Sequence, residues 1–265
     1  MSQIVFPNLN LSFTVSRIAF SFFGIDVYWY GLLIVSSFVI GLLLCKFDDK
    51  KYNISFDSIL ELFLIMLPMS IVCARLYFVL FKLDYFLSNP GNLFNIHDGG
   101  LAIYGGIIGA ILAILIYCKF KKLNALDMLD YLAPFLPLGQ SIGRWGNFVN
   151  VEAYGTQTDS FFKMGIFKSG VYSEVHPAFL YESACTMIIF ILLMCIRNKR
   201  KYSGQITCMY LFLYSFTRAI IEGLRIDSLM FYNFRVSQLL SVLLSVLFGG
   251  ILIFNAFKFK KYNKN

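Results

Sequence analysis

The run SILELFLIMLPMSIVCARLYFVLF, residues 58–81, holds two charged side chains, Glu61 and Arg75, in an otherwise uncharged and largely apolar stretch. An α-helix needs about 20 mostly apolar residues to cross the ~30 Å hydrocarbon core of a bilayer. Comparable windows lie to either side, at Val27–Cys45, Leu101–Cys118, Leu123–Gly143, Pro177–Ile196, Gln205–Glu222 and Val236–Phe257. Together they predict an all-α polytopic membrane protein with about seven transmembrane helices. Pro134 and Pro137 fall inside the fourth window, so its continuity as one helix is the one left open.

Composition agrees. The chain is 58% hydrophobic and 14% charged, whereas soluble domains carry about a quarter charged residues. A formal charge of +8 on a soluble protein would suggest nucleic acid, but on a membrane chain its distribution reports topology, and no nucleic-acid partner is expected. Fourteen Lys and Arg residues lie in the connections after the first, third, fifth and seventh windows, and six in the alternate ones. Arg75, Arg144 and Arg218 make up the rest, within spans or at their ends. The positive-inside rule therefore places the N-terminus outside and the C-terminus in the cytoplasm.

The expected organisation is an external N-terminal segment, 1–26, a membrane domain, 27–257, and a basic cytoplasmic tail, 258–265, suited to anionic headgroups. Within the membrane domain, 144–176 is long enough for a small external head between spans four and five. Leu9, Leu11, Phe13 and Val15 alternate with polar neighbours, the pattern of a short strand or of a segment covering the membrane domain at the external interface. No basic region leads into an apolar run at the start, so the first apolar helix is expected to be retained. Cys45, Cys73, Cys118, Cys185, Cys195 and Cys208 all fall in or beside apolar windows, with no C-x-x-C pair and no His cluster at ligand spacing. Disulfides, a metal site and a cofactor are not expected.

The stretch Gly143-Arg144-Trp145-Gly146-Asn147-Phe148-Val149-Asn150-Val151-Glu152-Ala153-Tyr154-Gly155 concentrates polar chemistry at the end of an apolar window, where ionised groups are costly. Arginine's planar fork suits phosphate or carboxylate, and the glycines permit close backbone approach or a sharp turn. Tyr214, Arg218 and Glu222 recur every four residues, forming one helix stripe: a structural ion pair by itself, or, with Arg144 and Glu152, a pocket for an anionic headgroup. Gly105, Gly109 and Ala113 have small-xxx-small spacing, which would hold Tyr104 where two helices touch. Tyr30 sits where an aromatic belt residue belongs. Arg75 is expected to bond another helix; Asp127 and Asp130 read equally as residues that cap or lock a helix and as catalytic ones; His97 and His176 read as polar loop residues.

In this order the motifs resemble those of the phosphatidylglycerol:prolipoprotein diacylglyceryl transferase family. The signature from Gly143 to Gly155 carries the likeness. Trp29-Tyr30-Gly31, Ala74-Arg75-Leu76-Tyr77, Gly99-Gly100-Leu101 with Gly105-Gly106, Asp130 with Ala133-Pro134, His176-Pro177 with Leu180-Tyr181-Glu182, and Tyr214, Arg218, Glu222 and Arg225 support it. The resemblance implies a bacterial cytoplasmic (inner) membrane enzyme, its active site toward the external side. Such an enzyme moves the diacylglyceryl group of phosphatidylglycerol to the lipobox cysteine of a prolipoprotein, forming a thioether and releasing glycerol 1-phosphate. It also implies catalytic roles for Arg144, Arg218, Glu222 and Tyr104, and substrate contacts from Arg144, Asn147, Asn150, Glu152, Gly155, Tyr30 and Tyr214. Glu152 and Glu222 would hold the arginines in place. Two positions depart from the pattern: Tyr104 stands where many members carry His, and Phe179 where Gln is frequent.

Two other readings compete. A secondary transporter for an anionic substrate would also carry intramembrane Arg and Glu in Gly- and Pro-interrupted spans, although no internal repeat is evident and seven spans do not halve. A purely structural subunit would use the same charges only to lock helices.

Overall fold

The computed structural model describes residues 2–48, 51–95, 99–168, 170–226, 230–232 and 234–262. His97 and the last three residues of the expected tail lie outside them. Four strands open the chain: β1 (Ser2–Phe6), β2 (Leu11–Val15), β3 (Ile18–Phe22) and β4 (Ile25–Tyr28). Helices α1 (Trp29–Phe47), α2 (Phe56–Phe81), α3 (Leu83–Ser88), α4 (Ile103–Lys121), α5 (Ala125–Leu132) and α6 (Phe135–Asn150) follow. After β5 (Met164–Lys168) and β6 (Val171–Val175) come α7 (Ala178–Ile196), α8 (Gln205–Glu222), β7 (Met230–Phe231), β8 (Phe234–Arg235) and α9 (Val236–Tyr262).

Five of these helices are long and apolar enough to cross a membrane: Trp29–Phe47, Phe56–Phe81, Ile103–Lys121, Ala178–Lys199 and Val236–Lys258. The other two expected spans differ. The fourth window is divided, because Pro134 lacks the N–H that would continue α5, and a new helix starts at Phe135. Helix α6 then runs past Gly143 to Asn150, so Arg144 lies inside a helix and does not open the external head. The sixth window is a continuous helix, α8, whose polar stripe lowers its mean hydropathy.

The chain divides into two compact units, 1–41 with 132–265, and 42–131. In the second unit α2 and α4 pack face to face. Ser55 caps α2, its hydroxyl accepting from the Ser58 N–H at 3.2 Å, and the helix continues through Pro68. Gly105, Gly109 and Ala113 are buried against α2, as their spacing predicts. Tyr104 itself is exposed beside that contact, 6.4 Å from the Tyr77 ring, and is not held between the helices. At the other end Glu61 accepts from the Tyr117 hydroxyl at 2.8 Å and pairs with Lys121 at 2.6 Å.

Arg75 bonds a loop, correcting the expectation of another helix. Its guanidinium donates to the carbonyls of Asn92 at 2.7 Å, Leu93 at 2.9 Å, Gly99 at 3.2 Å and Gly100 at 3.1 Å. Gly99 and Gly100 have φ of +88° and +83°, and a Cβ on Gly100 would collide with that guanidinium. The backbone can wrap the arginine there because the position has no side chain.

In the first unit, the N-terminal segment and the 164–175 hairpin form one antiparallel sheet in the order β2-β1-β5-β6. β1 pairs with β2 through Ile4↔Phe13 and with β5 through Ile4↔Ile166. Ile4, Phe6, Met164, Ile166 and Val175 pack with Tyr154 and Phe179 beneath it. The alternation is therefore a strand in a sheet over Leu11–Val15, whereas Leu9 ends a 3-10 turn before it.

A Cβ at Gly109 would lie 2.7 Å from the Met69 carbonyl oxygen and 2.8 Å from Ser70 Cα, whereas one at Gly106 would find its nearest neighbours at 3.9 Å. Gly109→Ala is expected to cost about 1–3 kcal/mol through overpacking. Gly106→Ala should instead gain up to about 1 kcal/mol of helix propensity. Unfolding midpoints in detergent should therefore shift in opposite directions.

Candidate active site

Helix α6 delivers the first half of the site. Arg144 and Asn147, three residues apart, share a face, and Arg144 Nη1 donates to Asn147 Oδ1 at 3.1 Å. The helix stops at Val151, whose φ of +54° is left-handed, with Ala153 following at +55°. The chain turns on these two residues and not on the glycines, so of the two roles open to the glycines the sharp turn falls to Val151 and Ala153. Gly146 accommodates the ring of Tyr30, which a Cβ would strike, and the space around Gly143 is open. The turn folds Glu152 back over the helix end. There Glu152 Oε1 accepts from Asn147 Nδ2 at 2.9 Å and Asn150 Nδ2 at 3.3 Å.

Helices α7 and α8 deliver the rest. Glu182, in the second turn of α7, is 2% exposed and pairs with two guanidinium groups at once. Arg144 Nη2 bonds its Oε1, and Arg218 Nη1 bonds its Oε2 at 2.8 Å. Arg218 turns its other terminal nitrogen to Glu222 Oε2 at 2.6 Å, one helical turn on. Arg225 Nη1 stands 4.0 Å from Glu182 Oε2. Tyr214 bonds Arg144 and stacks on Tyr210 at 5.8 Å. Three guanidinium groups thus face two buried carboxylates. The side chains of Arg144 and Arg218 remain 21% and 17% exposed. The arrangement is partly open and rich in planar donors, which suits an anion with several oxygens.

Gly155 borders this network. Its N–H donates to the His176 carbonyl at 2.8 Å, it bridges Arg225, and a Cβ would come within 2.9 Å of the Leu224 carbonyl oxygen. The glycine lets the turn after α6 be tied to the start of α7 and the end of α8. It fills a packing position in the wall of the site.

The family model described as prolipoprotein diacylglyceryl transferase matches residues 17–254. The chain belongs to this family. A phosphatidylglycerol--prolipoprotein diacylglyceryl transferase of Finegoldia magna is 46% identical over 93% of the chain and 97% of its own length. One from Clostridioides difficile is 45% identical over 95% and 98%, and one from Clostridium novyi 41% identical over 90% and 95%.

Seen as a diacylglyceryl transferase family member, the chain brings Arg144, Arg218, Glu222, Asn147, Asn150, Glu152 and Tyr214 into one connected group. Tyr30 rests on Gly146 beside it. Tyr104 belongs to the other compact unit, in the first turn of α4, and takes no part in these bonds. Glu152 bonds amides and no arginine, because the turn at Val151 aims it at the end of its own helix. The place expected for it is taken by Glu182, which the reading of site residues missed. Its signal was an ionisable residue inside the apolar window Pro177–Ile196, within Leu180-Tyr181-Glu182. Phe179 has an apolar role, buried with its ring 5.0 Å from Phe148 and 5.7 Å from Trp145.

Removing Glu182 would leave two guanidinium groups facing each other with little solvent. Glu182→Ala is expected to destabilise the protein by about 3 kcal/mol, the lower end for breaking a buried pair because the arginines keep some exposure. Glu152→Ala, at an exposed position, should cost less than about 1 kcal/mol. Chemical unfolding in detergent compares the two.

Proposed function

We propose that this chain transfers the diacylglyceryl group of phosphatidylglycerol to a prolipoprotein, the reaction named for its relatives, and that Arg144 and Arg218 hold the phosphodiester. The observation that carries this is the convergence of the two guanidinium groups on Glu182 with part of each side chain open. The acceptor is the thiol of the lipobox cysteine. Its sulfur attacks the glyceryl carbon that bears the phosphate, the carbon–oxygen bond breaks as the thioether forms, and glycerol 1-phosphate leaves with the bonding pair. Negative charge therefore grows on the departing oxygen. Guanidinium donors already in position favour that state over the ground state, which is the requirement for catalysis. Family membership counts against the transporter alternative.

The thiol, with an ordinary pKa of about 8.5, must lose its proton. Glu222 and Glu182 are both engaged with guanidinium groups, which favours thiolate formation in the arginines' field, the proton passing to water. Asn147 and Asn150, oriented by Glu152, would bond the headgroup, with Tyr30 and Tyr214 lining it and Gly155 fixing the wall. Tyr104 is proposed as a neutral hydroxyl donor to the headgroup, a role resting on its sequence motif. The proposed topology is seven spans, with α5–α6 and α8 as the fourth and sixth. The N-terminus and the head, which begins after α6 at Val151 and runs to 176, would be outside and the tail 258–265 inside, the orientation favoured by the Lys and Arg distribution. The location would be the bacterial cytoplasmic membrane.

Purified protein, phosphatidylglycerol and a lipobox peptide, followed by mass spectrometry, test the reading directly: a peptide heavier by one diacylglyceryl group is expected. Arg144→Ala and Arg218→Ala should each lower turnover on the order of 100-fold, as loss of a transition-state donor does. Arg144→Lys should recover little, because one ammonium cannot reproduce the fork; near-normal turnover in that variant would rule out bidentate holding. Tyr104→Phe should retain measurable transfer. Complete loss, with activity kept in Tyr104→His, would assign that position to proton transfer.

A further inference from the structure

The β3–β4 hairpin forms its own two-stranded sheet, and its two faces differ. The register pairs Phe20 with Val27 and Phe22 with Ile25 on one face, and Ser21 with Asp26 on the other. The polar pair is bonded, Ser21 Oγ donating to Asp26 Oδ1 at 2.6 Å. The apolar face is open: Phe20 is 51% exposed, Phe22 63% and Ile25 71%. At the tip, Phe23 and Gly24 have φ of +47° and +78°, the primed-turn geometry in which Asn-Gly is usual. Phenylalanine is a strained choice at a left-handed position, and here it is 90% exposed. A two-stranded hairpin is marginal in water, so an apolar face of this kind needs a cover.

What covers it follows from the chain's continuity. β4 ends at Tyr28 and α1 begins at Trp29, with the hairpin base closed by the Trp29 N–H donating to the Arg17 carbonyl at 3.0 Å. At about 1.5 Å per residue, the 19 residues of α1 roughly match the hydrocarbon thickness, which places Trp29 at the headgroups. At ~3.3 Å per residue the hairpin arms are about 16 Å (β3) and about 13 Å (β4) long, so the tip cannot leave the interfacial region by more than about 16 Å.

We propose that this hairpin is an interfacial anchor, its Phe20, Phe22, Phe23 and Ile25 side chains entering the headgroup–acyl boundary of the leaflet in which α1 starts. The inference rests on α1 as a membrane span and not on the transfer chemistry. It has a consequence for the site: Tyr30, in the first turn of α1, lies on Gly146, two residues from Arg144 in α6. Anchoring the hairpin sets the depth at which that contact, and with it the guanidinium pair, meets the phosphate plane.

The full chain with Trp29→Phe and Trp145→Phe, which removes both native tryptophans, is reconstituted in phosphatidylglycerol-containing vesicles. Phe22→Trp and Phe23→Trp are expected to emit in the blue. Each should lose on the order of half its intensity when the acyl chains carry bromine, as rings about 5–10 Å deep would. Ser21→Trp, on the opposite face, should be quenched clearly less. Solvent-like, unquenched emission from position 22 overturns the proposal, as does equal quenching at 21 and 22. Quenching that a saturating precursor peptide abolishes also overturns it, because the face would then belong to the peptide. The readout needs no turnover, so its failure and failure of the transferase reading are separable.

Discussion

One buried carboxylate carries two guanidinium groups, and the arrangement of α6, α7 and α8 depends on it. Without Glu182, Arg144 and Arg218 would face each other across helices packed in a medium of low dielectric, where like charges repel strongly. With it, the three helices can close. Neutral contacts nearby support the closure. The hydroxyls of Ser141 and Ser183 each donate to the other residue's carbonyl at 2.9 Å, which brings α6 and α7 close together. Gln140 accepts no charge into the core but donates to the Tyr210 hydroxyl at 2.9 Å, tying α6 to α8. Arg225 brings a third guanidinium to within 4.0 Å of the same carboxylate.

The sheet formed by β2, β1, β5 and β6 makes the turn after α6 possible. Phe148 on α6 packs edge-on against Phe13 of β2 at 5.8 Å, and Tyr154 is buried beneath the same sheet. The chain between them must reverse direction in a few residues, and it does so with Val151 and Ala153 in left-handed conformations. Such conformations persist only where surrounding contacts over-determine them. Here the strands above and the bonds of the Gly155 N–H to the His176 carbonyl and of the Thr156 N–H to the Leu224 carbonyl supply that constraint. The reward is the position of Glu152, which orients two amides.

Much of the helical architecture was legible because its signal is local. Long apolar windows, a proline at residue 134 and small residues at 105, 109 and 113 each act through their own helix or its immediate neighbour. The convergence of Arg144 with Arg218 was legible from the residues only as one of two alternatives, beside a structural ion pair, since 74 positions separate them in the numbering; motif resemblance favoured it. Glu182 was hidden for a related reason. Its partners come from two other helices, and nothing in the spacing of Leu180, Tyr181 and Glu182 says which charge a buried carboxylate will meet. Arg75 misled in the opposite sense: an arginine in an apolar helix suggests a partner helix, yet a loop of backbone carbonyls satisfies its donors equally well.

By itself the sequence determined that this chain is a helical membrane protein of the diacylglyceryl transferase family, because hydropathy, charge distribution and ordered motifs are written residue by residue. Tertiary structure alone decided which carboxylate holds the arginines and where the signature's helix ends. It also decided that the N-terminal segment and the 164–175 hairpin share one sheet. Each of these depends on which distant segments meet, and a pairing energy between side chains far apart in the chain has no trace in local pattern.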